Sequence, residues 1–346
     1  DTSIDNSNIA TEGPVCTGPY AFQSFDPDGD TVVVRNEYYW DGEVPNDSVT
    51  LRIIGDQTTR SMALQSGEID VAYNLKTENV FEFEENDNYT IQSLESLRST
   101  YAFMNENGAL GDQALRQALL RGLDKETYTS VLLEGGATPG KAPVPPTLDY
   151  GYDDLNDENS YDPEGAKKLL DDAGIVDTDG DGIRELDGQN INLHYVSYEN
   201  RLLNDFSNAH IQYLAEIGIG CTADYGSSDD QWSKLAAGDY DFNNNNWITV
   251  GTGDPYAYMA NWATDTTYCG YSNPEYDELF EQLKSEMDED KRADLIFQMQ
   301  QILVDDAAVL IDGYYNSSMI YSKNVGNAHI HTADYYWLST EITPAQ

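Results

Sequence analysis

Three things are scarce in this 346-residue chain, and each scarcity closes off a class of function. Cysteine occurs 3 times, at Cys16, Cys221 and Cys269. That is too few for a disulfide framework, and no Cys-x-x-Cys spacing supports zinc or thiol-redox chemistry. Cys221 and Cys269 could pair with one another; the alternative for all three is a free thiol. Lysine and arginine together number 18 against 62 aspartates and glutamates, a formal charge of −44. Nucleic acid and anionic membrane surfaces repel such a chain, so both are excluded as partners. The acidity serves either to attract cationic ligands, from ammonium groups to Ca2+, or as a solvated coat. No run of about 18 apolar residues occurs, so no transmembrane helix is expected. Catalytic signatures are missing as well. There is no Gly-x-Ser-x-Gly elbow, phosphate loop or His-Glu-x-x-His, and acidic pairs are too numerous to single out a glycosidase dyad. The sequence does not read as an enzyme.

What is present suffices for a large core: 40% hydrophobic residues, with 25 tyrosines and 5 tryptophans. The length fits two domains of about 150 residues each. Residues 1–13, rich in Asn, Ser and Asp, read as a flexible lead-in. β-branched runs at 32–34 and 49–54 predict strands, with an Asp26-Pro-Asp28-Gly-Asp30 turn before them. Residues 58–65 predict a helix closed by Gly67, and 69–73 a further strand. Together, 50–73 reads as a βαβ unit whose parallel strands share one sheet. A strand at 101–105 precedes one helix over 111–133, with Leu115, Leu119, Leu120 and Leu123 on its apolar stripe. A proline-rich loop spans 135–152, and Asp162-Pro163 caps the next helix. Strands at 191–197, 219–224 and 240–247, helices at 202–217, 274–287 and 289–305, and a β-rich close over 308–338 complete an alternating α/β pattern.

Several segments carry a specific resemblance. They are Thr17-Gly18-Pro19-Tyr20, Arg35-Asn36 with Tyr39-Trp40, and Ala63-Leu64-Gln65-Ser66-Gly67-Glu68-Ile69-Asp70. To these add residues 115–145 (LRQALLRGLDKETYTSVLLEGGATPGKAPVP) and the Tyr161-Asp162-Pro163 helix with Lys167-Lys168. In this order they resemble the extracellular solute-binding proteins of family 5, the peptide and nickel receptors of ABC importers. The likeness covers essentially everything after residue 13. It implies a periplasmic-binding-protein-like type II fold of the α/β class, two lobes with mixed β-sheets flanked by helices, closing on a ligand. Residues 14–95 with 321–346 would form part of lobe I, and 96–320 lobe II. In the family the opening block lies well inside the chain, so an N-terminal part is expected upstream. The implied function is the substrate-binding component of an ABC importer, capturing short peptides or a related cationic solute and delivering them to a membrane permease. It would act as a monomer, extracellular or periplasmic, tethered through a lipidated N-terminus outside this chain. Two alternatives stand: a nickel or metal-chelate receptor, and a surface-anchored calcium-dependent interaction module without transport.

The resemblance also assigns site residues. Asp254, in the Asp254-Pro255 pair after two glycines, is where relatives capture a ligand ammonium; read locally it is an Asp-Pro turn starter. Trp247 and Tyr256 flank that turn as aromatic walls. Arg201 stands where relatives contact ligand, and its guanidinium suits a carboxylate. Tyr101 and Asn105 lie on the strand that borders the family's cleft, with strand packing and capping as the local alternatives. No cofactor is required. A structural Ca2+ is a separate expectation, since Asp177, Asp179, Asp181 and Glu185 take positions 1, 3, 5 and 9 of a calcium-type loop with Gly182 at position 6. Gly188 replaces the position-12 glutamate, which excludes a full EF-hand. His329 and His331 alternate on a strand and could face one metal, or simply be surface histidines.

Overall fold

The computed structural model describes residues 16–26, 29–75, 77–251, 253–333 and 338–345. The lead-in expected over 1–13 and Asp28 of the acidic turn lie outside them. The chain divides into two compact units, Asp1–Leu94 with Ser317–Gln346, and Glu95–Asn316.

In the first unit, β1 (Tyr20–Ser24), β2 (Thr31–Arg35) and β3 (Ser48–Leu51) form an antiparallel sheet. Helix α1 (Gln57–Ser66) starts at Asp56, whose carboxylate accepts from Thr59 N at 2.7 Å. It ends at Gly67, which has φ 74° and so takes the left-handed cap that glycine adopts without strain. Strand β4 (Val71–Tyr73) follows, then α2 (Thr77–Glu84). The expected βαβ unit is not formed. β3 pairs with β2, whereas β4 pairs antiparallel with the end of a much later strand, Met319 opposite Tyr73. The ladder bonds of β3 are met by its neighbour in sequence, and those of β4 by a distant segment, so no crossover joins them. Leu64, Ala72, Leu75, Phe83 and Ile320 make this unit's core.

The second unit is organised by strand β5 (Tyr89–Met104) from Glu95 onward. Successive strand residues face opposite ways. Tyr101 and Phe103 accordingly enter one hydrophobic core, and Ala102 and Met104 the other. Helices α3 (Gln113–Gly122), α4 (Lys125–Leu133), α5 (Pro163–Asp172) and α6 (Leu203–Glu216) supply residues to the second core. Helices α9 (Pro274–Leu283) and α10 (Glu289–Asp305) supply the first; between α6 and α9 come α7 (Ser228–Ala237) and the short α8 (Tyr256–Met259). The remaining strands are β6 (Ala137–Pro139), the β7 (Glu185–Leu186) and β8 (Gln189–Asn190) hairpin, β9 (Asn192–Tyr198), β10 (Gly220–Gly226), β11 (Phe242–Ile248) and β12 (Val309–Ser322). The sheet order is β10-β9-β11-β5-β12, with β6 on β12. It is mixed: β10 and β11 run parallel to β9, while β5 is antiparallel to β11. Helices on both faces bury it, as the run of buried residues at the end of β5 requires.

One helix expectation is corrected. The single helix over 111–133 is two, because Asp124 caps α4 by accepting from Thr127 N at 3.0 Å, and Leu123 turns extended. From the sequence, no helix is expected at α2, α7 or α8; α7 buries only Gln231 and Leu235, too thin a stripe to show periodicity. The cap at Asp162, accepting from Gly165 N at 2.9 Å with Pro163 in the first turn, is as the sequence indicates. All three cysteines are free: Cys16 is exposed, Cys221 half-buried and Cys269 buried.

Arg116 of α3 is buried and donates to the carbonyls of Leu110, Asp306 and Ala307, while its Nη1 lies 3.1 Å from the Glu106 carboxylate. Burial pushes the Glu106 carboxyl up to about 7 from 4.5; Arg116 opposes the rise and Asp306 adds to it. Since folding raises this group's pKa, its contribution to stability is full below 4.5 and is lost as pH rises toward 7. Glu106→Gln cannot ionise. Its melting temperature relative to the parent should therefore climb between pH 4.5 and pH 7, and a pH-independent difference in thermal melts would show that Glu106 does not titrate in this window.

Candidate functional site

The turn after β11 is shaped by Gly253, at φ 88°. Asp254 follows, and its carboxylate is fully engaged. Oδ1 accepts from Tyr256 N at 2.8 Å, and Oδ2 accepts from Arg292 Nε at 2.9 Å and Nη2 at 2.8 Å. Arg292 Nη1 donates to the carbonyls of Leu283 and Glu286, both at 2.7 Å. One guanidinium thus ties the turn to the C-terminal end of α9 and the first turn of α10. Asp254 is held by a cation of its own chain, in a charge-assisted pair of the kind that fixes geometry. Nothing local in the sequence marks Arg292, which lies 38 residues downstream.

The other expected residues fall into two groups on opposite faces of the sheet. Tyr256 stacks on Phe280 with centroids 5.0 Å apart, and Trp247 packs half-buried on the same core. Tyr101 belongs to this group but is 0% exposed, wedged among Phe103, Tyr258 and Trp262. It has no surface to offer a solute. Asn105 is buried too; its amide donates to the carbonyls of Gly238 and Tyr240 and its oxygen accepts from Asn107 N. That arrangement fixes the loop after β5 and leaves Asn105 a positioning role.

On the opposite face, Arg98, Tyr198, Arg201, Asn246 and Tyr315 converge. Arg98 Nη1 donates to Asn246 Oδ1 at 2.6 Å, and Asn246 Nδ2 to the Tyr198 hydroxyl at 3.2 Å. The Arg201 guanidinium lies 5.6 Å from the centroid of the Tyr315 ring, within cation–π range, and the Tyr315 hydroxyl donates to Arg201 O at 2.7 Å. Arg201 and Leu202 both take positive φ, 45° and 62°, immediately before α6. Two consecutive non-glycine residues in that region store backbone strain, which persists where surroundings over-determine it and clusters at binding sites. Only Arg201 of this group was expected from the sequence. The signal for Asn246 was the Asn243–Asn246 run, whose members alternate between faces. Asn245 Nδ2 donates to Asn243 Oδ1 at 2.7 Å and both oxygens accept from Gln231, while Asn244 donates to Ser207 Oγ at 2.8 Å.

The acidic loop brings Asp177, Asp179 and Glu185 together, with one carboxylate oxygen of each within 4.8 Å of the others. Asp177 accepts from Gly180 N and Gly182 N, and these backbone donors hold its carboxyl below the usual range. Glu185 accepts from Thr178 N and Oγ1, both at 2.8 Å. Asp181 turns aside to accept from Ile183 N and Asn190 Nδ2. In the first unit, His329 and His331 have ring centroids 4.6 Å apart, and His329 Nε2 lies 3.0 Å from the Glu341 carboxylate.

The Asp254–Arg292 pair makes a prediction about stability. Asp254→Asn should cost about 1–3 kcal/mol in urea unfolding, since it leaves a half-buried guanidinium without its counter-charge. A variant as stable as the parent would show that the pair does not hold the turn.

The family model described as "Bacterial extracellular solute-binding proteins, family 5 Middle" matches residues 1–268. Heme-binding protein A of Haemophilus influenzae is 33% identical over 162 residues, 46% of this chain and 29% of that protein. Oligopeptide-binding protein AppA of Bacillus subtilis is 25% identical over 339 residues, 95% of this chain and 62% of that protein. The chain thus spans less than two thirds of the length of these relatives. Among solved structures, AppA in complex with a nonapeptide aligns with TM-score 0.84 at 24% identity, covering 96% of this chain and 68% of that one. NikA from Brucella suis in complex with Fe(III)-EDTA gives 0.83 at 22%, covering 95% and 68%. The fold is that of the periplasmic-binding-protein-like type II class, and the family match extends over most of the sequence: the chain belongs to the bacterial extracellular solute-binding proteins of family 5.

Proposed function

We propose that this protein is the solute-capturing component of an ABC importer, taking up short peptides outside the cytoplasmic membrane and passing them to a membrane permease. The family match over residues 1–268 carries this reading. The name of AppA and its nonapeptide complex support peptide as the solute. The protein acts as a monomer, is tethered by a lipidated N-terminus and does no chemistry on its ligand. Within residues 95–316, the ligand's carboxylate is received by Arg98 and Arg201, with the Asn246 amide beside them. A guanidinium suits a carboxylate through its planar fork of donors. The aromatic group around Trp247 and Tyr256 supports the turn rather than the ligand.

Calorimetry on the full-length gene product, titrated with di-, tri- and nonapeptides, tests the reading. Peptide binding is expected, and Arg201→Ala should weaken it by about tenfold or more, equivalent to roughly 1.4 kcal/mol. Failure of every peptide would overturn it. A second reading, a metal-chelate receptor, is favoured by the His329–His331 pair and by the NikA likeness. Binding of a nickel chelate in place of peptide, abolished by His331→Ala, would establish that reading instead.

The 177–185 loop is proposed as a structural Ca2+ site, on the convergence of Asp177, Asp179 and Glu185. Millimolar CaCl2 should raise the melting temperature of the parent and leave Asp179→Ala unmoved. Equal shifts in both would remove the site.

A further inference from the structure

The 18 basic side chains are few, and the structure spends several of them inward. Arg60 donates to the carbonyls of Ile54 and Asn74, and Arg184 to those of Ile175 and Ile217. Arg116 and Arg292 likewise direct donors at backbone carbonyls, and the carboxylates that Arg116, Arg184 and Arg292 also meet are those of Glu106, Asp171 and Asp254. Exposed acids line several elements. On α9, Glu275 and Glu278 are exposed three residues apart, with Glu281, which meets Lys284, one step further, and on α10 Asp290 and Asp294 are exposed four residues apart. Asp153 and Asp154 are exposed neighbours. With one carboxylate balanced by each lysine and arginine, 44 negative charges remain in excess.

Like charges three or four residues apart on a helix lie about 5–6 Å from one another and oppose the helix. At about 0.1 M salt the screening length is about 10 Å, so this repulsion is only partly screened; at 1 M it is about 3 Å, and the repulsion is strongly damped. We infer that this protein is built to work in a medium of molar monovalent salt, with dissolved cations supplying the counter-charge that its own side chains do not. In dilute buffer the folded state carries unscreened self-repulsion that the expanded chain relieves. The folded chain carries this repulsion whatever the protein binds.

Thermal melts of the protein in about 0.1 M and about 2 M NaCl, and in dilute buffer with sucrose of matched osmolality, test it. Salt should raise the melting temperature by at least about 10 °C, and sucrose by much less. A rise below about 3 °C, or an equal rise in sucrose, would overturn the inference. A second arm uses the variant Asp153→Asn, Asp154→Asn, Glu216→Gln, Glu278→Gln and Asp294→Asn, which removes exposed charges outside the first turns of α6, α9 and α10, where an acid would favour the helix, and keeps side-chain shape. It should melt above the parent in dilute buffer and level with it in 2 M NaCl. A variant melting at or below the parent in dilute buffer, yet level with it in concentrated salt, would also refute the inference.

Discussion

The end of strand β5 is the constraint on which the second unit depends. Residues Ser99 to Met104 are buried on both faces, and their alternation feeds two separate hydrophobic cores. A slip of one residue would exchange Tyr101 and Phe103 with Ala102 and Met104, placing large rings where an alanine and an unbranched methionine lie. The register with β11, Tyr101 opposite Asn245 and Arg98 opposite Ile248, is therefore fixed by packing rather than by a turn. That same register sets Arg98 on the face of Asn246 and holds Trp247 on the other. The division of the candidate residues into two groups is a direct result of strand alternation.

The local rules of chain geometry were legible in the sequence. Gly67 and Asp162 with Pro163 mark helix ends where the structure has them, because capping is decided by a few neighbouring residues. The alternation of strands and helices and the ordered family segments were legible as well. Partner choice was not. β3 and β4 flank a helix like any crossover pair, yet join different sheets, and only the distant strand β12 explains why. The break at Asp124 was hidden because leucines on both sides keep one periodicity through it.

The candidate site shows the same division. Asp254 draws attention by its Asp-Pro turn, but its role is set by Arg292, which no spacing connects to it. Tyr101 and Asn105 sit at the expected places and are occupied there by packing and by carbonyls. Conversely, Arg98 and Tyr315 carry no motif and become notable only when the sheet brings them beside Arg201 and Asn246. Residue types suggest chemistry, while burial decides which of them is available for it.

The row of asparagines on β11 has one more implication. In a chain so dominated by carboxylates, the strand at its centre is lined by amides bonded to one another and to Gln231 and Ser207. An amide has no net charge for ions to screen and no proton to give up near neutrality. The spacing of β11 is thus insulated from the electrolyte and from pH, whatever happens to the ionised surface around it. The strand serves as a fixed ruler, against which charged groups such as Arg98 keep their position as the medium changes.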